Sequence, residues 1–393
     1  MADNQKILVV AFSGRALAAA AKRAGYAVSV VDLFGDADMK SLVEDSRVVE
    51  GTPAQGFEPA GLLATADALA PPEDQPRSGV VYGAGLEAQT DLLTRLCEGR
   101  RLYGNAPETV ARVKDPVEFF GTLDRLGVAH PSVRFSPPTE AGDWLVKRAG
   151  GSGGFHVTRH VGGSLPIPGV YYQRTAQGRP IGVSFLADGH RSLIIGLNEQ
   201  WHDNGDPDRP FRFSGALHPA VAGRALRRDI QQLLDAIVVE WGLVGLNNVD
   251  VIDDGETFAV LEVNPRAGAN LDIFDHGHSA GLFASHIAAC EGRLPDSWRL
   301  RLAATAMTVI YSDRQIRIAE RVNWPEWVVD RPASGAAIEQ GMPVCTVLAT
   351  GETEADVRRL IATRVAFVRS EFLAPAPDRR FNRPQPKAEA VHA

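Results

Sequence analysis

The opening of the chain limits the fold more than any other feature of the sequence. Residues 6–11 (KILVVA) form a short apolar run that is typical of a buried parallel strand. A helix is predicted over residues 16–24, closed by Gly25, and a second strand over residues 27–32. Because crossovers between parallel strands are almost always right-handed, this unit predicts a doubly wound α/β sheet.

The first turn of this unit does not match a dinucleotide-binding fingerprint. Ser13-Gly14-Arg15 supplies one glycine where the fingerprint needs three. A further strand is predicted at residues 79–82. We therefore predict an α/β domain over residues 1–105 that is not itself a dinucleotide site. Ser13 and Arg15 follow the first strand, where open α/β sheets bind ligands, so both are candidate substrate contacts.

A second informative stretch, residues 262–266 (EVNPR), follows an apolar run that is typical of a strand. Alternate residues of a strand point to one side, so Glu262, Asn264 and Arg266 are predicted to share a face. A carboxylate and an amide oxygen suit a hard cation such as Mg²⁺, and an arginine suits a phosphate or carboxylate oxygen. The pattern predicts a site for a nucleotide polyphosphate and an acid.

A second carboxylate, Asp250, lies on the preceding strand-like run, and residues 253–255 (DDG) are a hairpin signal. A two-residue turn would place Asp250 and Glu262 on opposite faces. We predict a three-residue loop with Gly255 left-handed, which pairs Asp250 with Phe258 and brings both carboxylates to one face. The alternative is an ordinary hairpin with solvated acids.

A glycine-rich loop follows the predicted strand at residues 144–148. The loop consists of Gly150, Gly151, Ser152, Gly153 and Gly154. A second strand follows it, and neither a GK[ST] sequence nor a helix does, so it is not a Walker P-loop. Glycine lets the backbone approach a ligand closely and present N–H groups to phosphate oxygens. The alternative is a flexible hairpin tip.

Composition argues against several classes of function. A net charge of −7 gives no general attraction to nucleic acid or anionic membranes. The three cysteines lie far apart and form no CxxC pair, which argues against a disulfide framework or a structural zinc site. His276 and His278 form only a weak zinc signal on a predicted loop. No signal peptide or membrane-length apolar run is evident, so we expect a cytoplasmic protein.

The motifs occur in a recognisable order: Lys114, Lys147 with its glycine-rich loop, Asp250, and then residues 262–266. This order resembles the ATP-grasp superfamily, which includes biotin carboxylase and D-alanine–D-alanine ligase. The resemblance implies an α/β fold, with α+β character in its central part. It implies five segments, namely an N-terminal α/β domain (1–105), a small ATP-grasp subdomain with the glycine-rich loop (106–170), a large ATP-grasp subdomain (171–300), a β-rich C-terminal domain (301–373) and a disordered tail (374–393).

The resemblance also implies a chemistry. ATP-grasp ligases phosphorylate a carboxylate with ATP, and an amine or another nucleophile then displaces the phosphate. Lys114 and Lys147 would contact the phosphates of ATP, and the glycine-rich loop would fold over them. The predicted ligands of one or two Mg²⁺ ions, or of Mn²⁺, are Asp250, Glu262 and Asn264. The predicted catalytic residues are Arg266, which would stabilise the acyl-phosphate or orient the acid, and Asn264.

Other positions are assigned by the same resemblance. The hinge that passes adenine in the family corresponds to Gln173, Arg174, Thr175 and Ala176. Many members have Glu at the position of Gln173, but a neutral amide can still accept from the adenine amino group. Arg212 and Arg266 are candidate carboxylate clamps, and Asp272 is a candidate substrate contact. Residues 201–204 are predicted to form an exposed loop that lines the acceptor pocket.

The sequence thus predicts an ATP- and Mg²⁺-dependent ligase that joins a small carboxylate to an amine, with no nucleic-acid or membrane partner. A homodimer is left open. The N-terminal half and residues 264–275 resemble predicted ATP-dependent carboligases, some of which lie beside genes for methanopterin or methanofuran coenzymes. One alternative is a carboxylase acting through carboxyphosphate, although no biotin attachment site is evident. The other is a nucleotide-binding regulatory protein without turnover, which need not keep the predicted metal ligands.

Overall fold

The computed structural model describes residues 6–72, 78–139, 142–162, 167–203, 205–274, 281–298 and 304–373. The predicted disordered tail lies outside the described residues, as do His276 and His278. None of the helices in the described segments has the length and apolar character that crossing a membrane requires.

The N-terminal part is built on a parallel sheet. Strands β1–β7 occupy Lys6–Val10, Ala27–Asp32, Asp45–Val48, Gly51–Thr52, Gly56–Phe57, Ser78–Tyr82 and Arg101–Leu102. Helices α1–α4 occupy Arg15–Arg23, Ala37–Lys40, Pro59–Leu69 and Thr90–Cys97. Five strands pair in parallel in the order β3-β2-β1-β6-β7, with β1 at the centre. This parallel pairing confirms the predicted α/β opening. Parallel sheets are covered on both faces, which is why their strands are apolar.

A small antiparallel sheet follows two proline-initiated helices. These helices, α5 and α6, occupy Pro107–Lys114 and Pro116–Arg125. Strands β8–β11 occupy Val133–Arg134, Trp144–Arg148, Val157–Arg159 and Val170–Arg174, and pair in the order β10-β9-β11-β8. The side chain of Asp115 caps α6 by accepting from the Val117 and Glu118 amides, which forces a break after α5. The chain turn therefore fixes Lys114 at the end of α5.

The largest sheet has eight strands. Strands β12–β16 occupy Arg179–Asp188, Ser192–His202, Phe213–His218, Val244–Asp253 and Phe258–Asn264. Strands β17–β21 occupy Ala304–Tyr311, Ile316–Arg317, Val328–Val329, Ala337–Ile338 and Pro343–Gly351. Helices α7–α10 occupy Arg224–Trp241, Leu271–Phe274, Leu282–Cys290 and Glu354–Phe372. The order β16-β15-β12-β13-β14-β17-β21-β19 shows that the C-terminal strands continue the sheet that begins with residue 179.

The prediction of an exposed loop over residues 201–204 is wrong for its first two residues. Strand β13 extends through His202, because Trp201 pairs with Gly215 and His202 with Phe213 across a β-bulge. Trp201 is half-buried and packs against the cluster formed by the C-terminal strands. Long-range pairing with β14 therefore overrides the polar composition of this stretch.

Helix α7 packs against the back of the large sheet. Its buried side includes Leu234, Val238 and Trp241, and the indole of Trp241 stacks on Phe119 of α6 with ring centroids 5.5 Å apart. This contact joins α6 to the large sheet, since both aromatic rings belong to one buried cluster. The cleft between the small and the large sheet thus has a packed apolar base.

Adjacent valines of α7 provide a matched test of this packing. Val238 is fully buried, whereas Val239 is 64% exposed. Val238→Ala should lower the free energy of unfolding by about 2 kcal/mol, because two buried methyl groups are lost and a cavity is left. Val239→Ala should change it by less than about 0.5 kcal/mol. Equal effects of the two substitutions in urea denaturation would contradict the packing described.

Candidate active site

Asp250 and Glu262 lie directly opposite each other on neighbouring strands. The pairing of β15 with β16 matches Asp250 with Glu262 and Asn248 with Asn264. Directly opposed residues point to the same side of a sheet, so the carboxylates share one face as predicted. Asn264 bridges them, with Nδ2 donating to Asp250 Oδ2 at 3.0 Å and to Glu262 Oε1 at 3.1 Å.

The predicted turn, however, is wrong. Asp253 pairs with Phe258, so the loop has four residues rather than three, and the Asp254 amide donates to the Thr257 carbonyl. That register alone would put the two carboxylates on opposite faces. A β-bulge between Asp250 and Val251 shifts the pairing by one residue and restores the shared face.

The donor set of this pair fits a hard divalent cation. Two carboxylates approach each other on one face, and such oxygen ligands suit Mg²⁺. Asn264 presents its amide nitrogen to them while its Oδ1 accepts from Lys114 Nζ at 2.8 Å. Asp250 and Glu262 could therefore bind the ion without rearrangement. Asn264 could become a third ligand only after its amide group rotates and exchanges the positions of its oxygen and nitrogen.

Burial and the surrounding charges shift the pKa values of the two carboxyl groups in opposite directions. Burial, and then the Glu262 charge, raise the pKa of Asp250 to about 7. Burial acts in the same direction on Glu262, but Lys114 and Lys147 more than offset it and hold the pKa of Glu262 well below its usual range. The pair therefore holds a proton near Asp250 and a negative charge near Glu262 as the pH approaches neutral.

Both predicted phosphate-binding lysines lie beside this pair. Lys114 Nζ is 3.9 Å from Glu262 Oε2, and Lys147 Nζ donates to Gln173 Oε1 at 3.0 Å. Burial lowers the pKa of each lysine, and the nearby carboxylates partly offset that effect. Two buried cations placed around one carboxylate pair are an arrangement that favours an anionic ligand.

Lys147, Asp250 and Glu262 border a cleft of about 290 Å³ between the small and the large sheet, and Lys114 lines a smaller neighbouring cavity that also contacts Glu262. The lining of the cleft includes the predicted hinge residues, namely Gln173, Arg174, Thr175 and Ala176. Gln173 already uses its side-chain oxygen to accept from Lys147, and its Nε2 has no partner among the described residues. A contact of the Gln173 oxygen with adenine therefore stays a prediction and requires the lysine bond to exchange.

The glycine-rich loop is packed tightly beside this cleft. The Gly153 carbonyl accepts from the Phe213 amide at 3.0 Å. A Cβ on Gly154 would lie 1.9 Å from the Phe211 carbonyl oxygen, and one on Gly150 would lie 2.7 Å from Ala88 Cα. Gly150, Gly153 and Gly154 also have positive φ. Glycine is required here for backbone conformation and for close approach to two separate parts of the molecule.

Arg266 is held by a residue that the sequence patterns did not select. Its Nε lies 2.5 Å from Glu87 Oε1, and Glu87 Oε2 accepts from the Gly85 amide at 2.6 Å. Arg266 Nη2 reaches Asn264 Oδ1 at 3.5 Å. Glu87 follows β6 at the carboxyl edge of the parallel sheet, where ligand-site residues collect in such sheets. This position after a predicted strand could have identified it from the sequence. Gln200, which donates to Asp250 Oδ1 at 3.0 Å, had no such signal.

Arg212 is engaged away from the carboxylate pair. It forms ion pairs with Asp203 and Asp206, and its Nη1 donates to the Gly341 carbonyl at 2.6 Å. Its guanidinium also lies 3.8 Å from the Tyr311 ring centre. Arg212 thus ties the 203–212 loop to the C-terminal strands, and its role as a carboxylate clamp stays a prediction.

Ser13, Arg15 and Asp272 come together in a second cluster, in which Arg15 and Asp272 are buried and Ser13 is exposed. Arg15 bonds both oxygens of Asp272, at 2.7 and 2.5 Å, and its Nε reaches Asp330 Oδ1 at 2.9 Å. Ser13 Oγ lies 3.4 Å from the same Asp330 oxygen. Asp330 directly follows β19, so this cluster joins the C-terminal segment to the N-terminal parallel sheet. Substrate contact by these residues stays a prediction.

The raised pKa of Asp250 has a consequence for stability. The folded, metal-free protein binds this proton more tightly than the unfolded chain, so stability falls as the pH rises from the ordinary value of 3.8 to about 7. Asp250→Asn should remove that loss. The variant should gain free energy of unfolding over the wild type across this window, measured by urea denaturation with EDTA present.

Asp254, exposed in the same hairpin, is the control. Hydrogen bonds from the Thr257 and Glu256 amides lower its pKa, so the folding stability that it contributes is lost as the pH falls through that lowered pKa. Asp254→Asn should therefore show no gain between pH 4 and 7. A constant difference between Asp250→Asn and the wild type over this window would contradict the electrostatic account.

Neighbouring glycines test the packing of the loop. Gly154→Ala should displace the loop from Phe211 and raise hydrogen exchange at residues 150–154 by about tenfold or more. Gly153→Ala carries the same backbone strain at φ +64, but its Cβ would meet nothing closer than 3.3 Å. Similar exchange in both variants, measured by mass spectrometry, would rule out the close approach to Phe211 as the cause.

Residues 113–270 match the family model described as an ATP-grasp domain. The large chain of carbamoyl phosphate synthase from Deinococcus deserti is 21% identical over 266 residues, which cover 61% of this chain and 25% of that protein. The chain therefore spans about a quarter of the length of this curated relative.

Solved structures resemble the chain over nearly all its length. The biotin carboxylase domain dimer of 2-oxoglutarate carboxylase from Hydrogenobacter thermophilus, solved with MgADP, ADP and bicarbonate, has a TM-score of 0.69 at 12% identity and covers 94% of this chain and 90% of that one. An L-amino acid ligase from Bacillus licheniformis has a TM-score of 0.67 at 14% identity, with 92% and 97% covered. Residues 113–270 thus match an ATP-grasp domain, and the chain has the ATP-grasp fold.

Proposed function

We propose that this protein is an ATP- and Mg²⁺-dependent ligase that activates a carboxylate as an acyl-phosphate and joins it to an amine. The observation that carries the proposal is the opposed pair Asp250 and Glu262, with Lys147 in the same cleft and Lys114 Nζ 3.9 Å from Glu262 Oε2. A binding protein would not need to bury two carboxylates and two lysines against one another, since each buried charge costs free energy.

The reaction needs positioning and charge neutralisation more than proton transfer. The carboxylate oxygen of the acid attacks the γ-phosphorus, the bond to the β-γ bridging oxygen breaks, and ADP leaves. The amine then attacks the acyl carbon, phosphate leaves, and the amine loses a proton. Mg²⁺, when bound by Asp250 and Glu262, supplies charge neutralisation for the phosphates.

The remaining work falls to the chain's own residues. Lys114 and Lys147 balance phosphate charge from fixed positions, so little reorganisation is needed during transfer. Gly153 and Gly154 of the glycine-rich loop line the cleft, and the loop would exclude water from the acyl-phosphate. Arg266, oriented by Glu87, would hold the acid or the transferred phosphoryl group.

A carboxylase acting through carboxyphosphate is the second candidate, and the similarity to a biotin carboxylase domain favours testing it. Both reactions begin by phosphorylating a carboxylate-like oxyanion, so they share the metal and lysine groups. They differ in the acceptor, which the proposal takes to be an amine. A role in making a one-carbon carrier coenzyme such as methanopterin or methanofuran, a cytoplasmic location and a homodimeric state belong to the proposal as well.

The test is Mg²⁺-dependent release of ADP from ATP across a panel of amino acids, oxo-acids, coenzyme precursors and bicarbonate, each with and without an amine. ADP should appear only with an acid and an amine together. Release with bicarbonate alone would favour the carboxylase. ATP binding without any turnover across the panel would count against the ligase.

Glu262→Gln should lower kcat by at least about a hundredfold in the active combination, because it removes a charged ligand of the metal site. The exposed Glu256 of the same hairpin provides the control, and Glu256→Gln should keep wild-type turnover. Undiminished turnover in Glu262→Gln would remove the metal role from this residue.

A further inference from the structure

We propose that Arg212 is a positioning residue: together with Tyr311 it holds Phe155, the residue directly after the glycine-rich loop, and thereby keeps the loop over the cleft. This role rests on the proposed ligase function, and it gives the C-terminal strands a part in the reaction. Gly153 and Gly154 line the cleft, so whatever fixes the loop also fixes that side of the site. We refer to Phe155, Arg212 and Tyr311 together as the loop anchor.

Phe155 joins the glycine-rich loop to side chains from other parts of the chain. Its ring lies edge-on to the ring of Tyr311, with the two centres 6.2 Å apart. The guanidinium carbons of Arg209 and Arg212 lie 5.7 and 5.8 Å from the centre of the Phe155 ring. A guanidinium at such a distance is attracted by the electrons of an aromatic face. Phe155 therefore has specific partners on the large sheet and on β17.

Arg212 is itself fixed by contacts that do not involve the loop. Its side chain is buried, and its guanidinium carbon lies 3.8 Å from the centre of the Tyr311 ring. Nη1 donates to the Gly341 carbonyl at 2.6 Å, and Asp203 and Asp206 form ion pairs with the guanidinium. The buried charge is thus compensated, and the C-terminal segment determines where the guanidinium lies.

The backbone of residues 211–213 makes a second connection between the loop and the C-terminal strands. The Phe213 amide donates to the Gly153 carbonyl at 3.0 Å, and the Phe213 carbonyl accepts from the Tyr311 hydroxyl at 2.7 Å. Gly154 packs closely against the same stretch of backbone. Tyr311 therefore holds the loop in two ways, through its ring and through the backbone that its hydroxyl group bonds.

A fixed loop matters because water competes with the amine for the acyl-phosphate. If the loop opens before the amine attacks, water takes its place, phosphate leaves, and the free acid is returned. The net result is hydrolysis of ATP to ADP and phosphate without formation of an amide. A loop that stays over the cleft until the amine has attacked suppresses this side reaction.

Hydrogen exchange of the protein without substrates tests the loop anchor directly. Arg212→Lys keeps a positive charge beside Asp203 but loses the planar group that contacts both aromatic rings. Phe155→Leu keeps an apolar side chain but removes the ring. Each substitution should raise exchange at residues 150–154 by about fivefold or more over the wild type, measured by mass spectrometry.

Arg364 provides the matched control. Its guanidinium carbon lies 4.9 Å from the centre of the Trp327 ring, and its Nη1 donates to the Leu348 carbonyl. These contacts are of the same kind as those of Arg212, but they lie within the C-terminal segment. Arg364→Lys should therefore leave exchange at residues 150–154 at the wild-type rate.

The ratio of ADP to amide provides a readout that partial unfolding would not change, because unfolded enzyme makes neither product. The measurement uses the acid and amine that give turnover with the wild type. The ratio should be close to one for the wild type and for Arg364→Lys. It should rise by about threefold or more in Arg212→Lys and Phe155→Leu, since water then reaches the acyl-phosphate.

The possible results separate the loop anchor from the proposed ligase. Wild-type exchange at residues 150–154 in both variants would overturn the anchor. Raised exchange with an unchanged ratio of ADP to amide would overturn its part in the reaction, as would exchange raised equally throughout the large sheet. A wild type that releases no ADP with any acid and amine would count against the ligase, while the exchange rates would still decide whether the anchor holds the loop.

Discussion

The cross-strand pairing of Asp250 with Glu262 is the constraint on which the rest of the site depends. Two carboxylates held on one face of a sheet, away from bulk water, repel each other, and this arrangement persists only with compensating charge. Lys114, Lys147 and the Asn264 bridge supply that compensation. The cost of burying the pair explains why so many polar groups converge on two short strands.

Three parts of the chain must come together for this compensation to work. Lys114 arrives from the end of α5, Lys147 from the small sheet, and Glu262 from the large sheet. The segment after β6 contributes Glu87, which orients Arg266, and Ala88, against which Gly150 packs. The cleft therefore depends on how the parallel, the small and the large sheet pack together, and a change in one of them should alter the others.

Much of the secondary structure that carries the site residues was predictable from local sequence. The strand and helix over residues 6–24, the helix beginning at Pro107 and the strand carrying Lys147 all follow from hydrophobic pattern, proline placement and glycine turns. The shared face of Asp250 and Glu262 was also predicted, but for the wrong reason. The turn has four residues, and a bulge that no local pattern marks restores the register.

The sequence by itself determined which elements form and which residue types recur along one side of each strand, because those depend on neighbours in the chain. Only the tertiary structure decided what these residues meet. Arg15 and Arg212 were candidate substrate contacts, yet Arg15 is bound to aspartates from distant segments and Arg212 to the distant Gly341 carbonyl. Gln200 and Glu87 gained their places through long-range contacts with Asp250 and Arg266. Contacts between segments far apart in sequence leave no periodic trace, so pattern reading could not supply them.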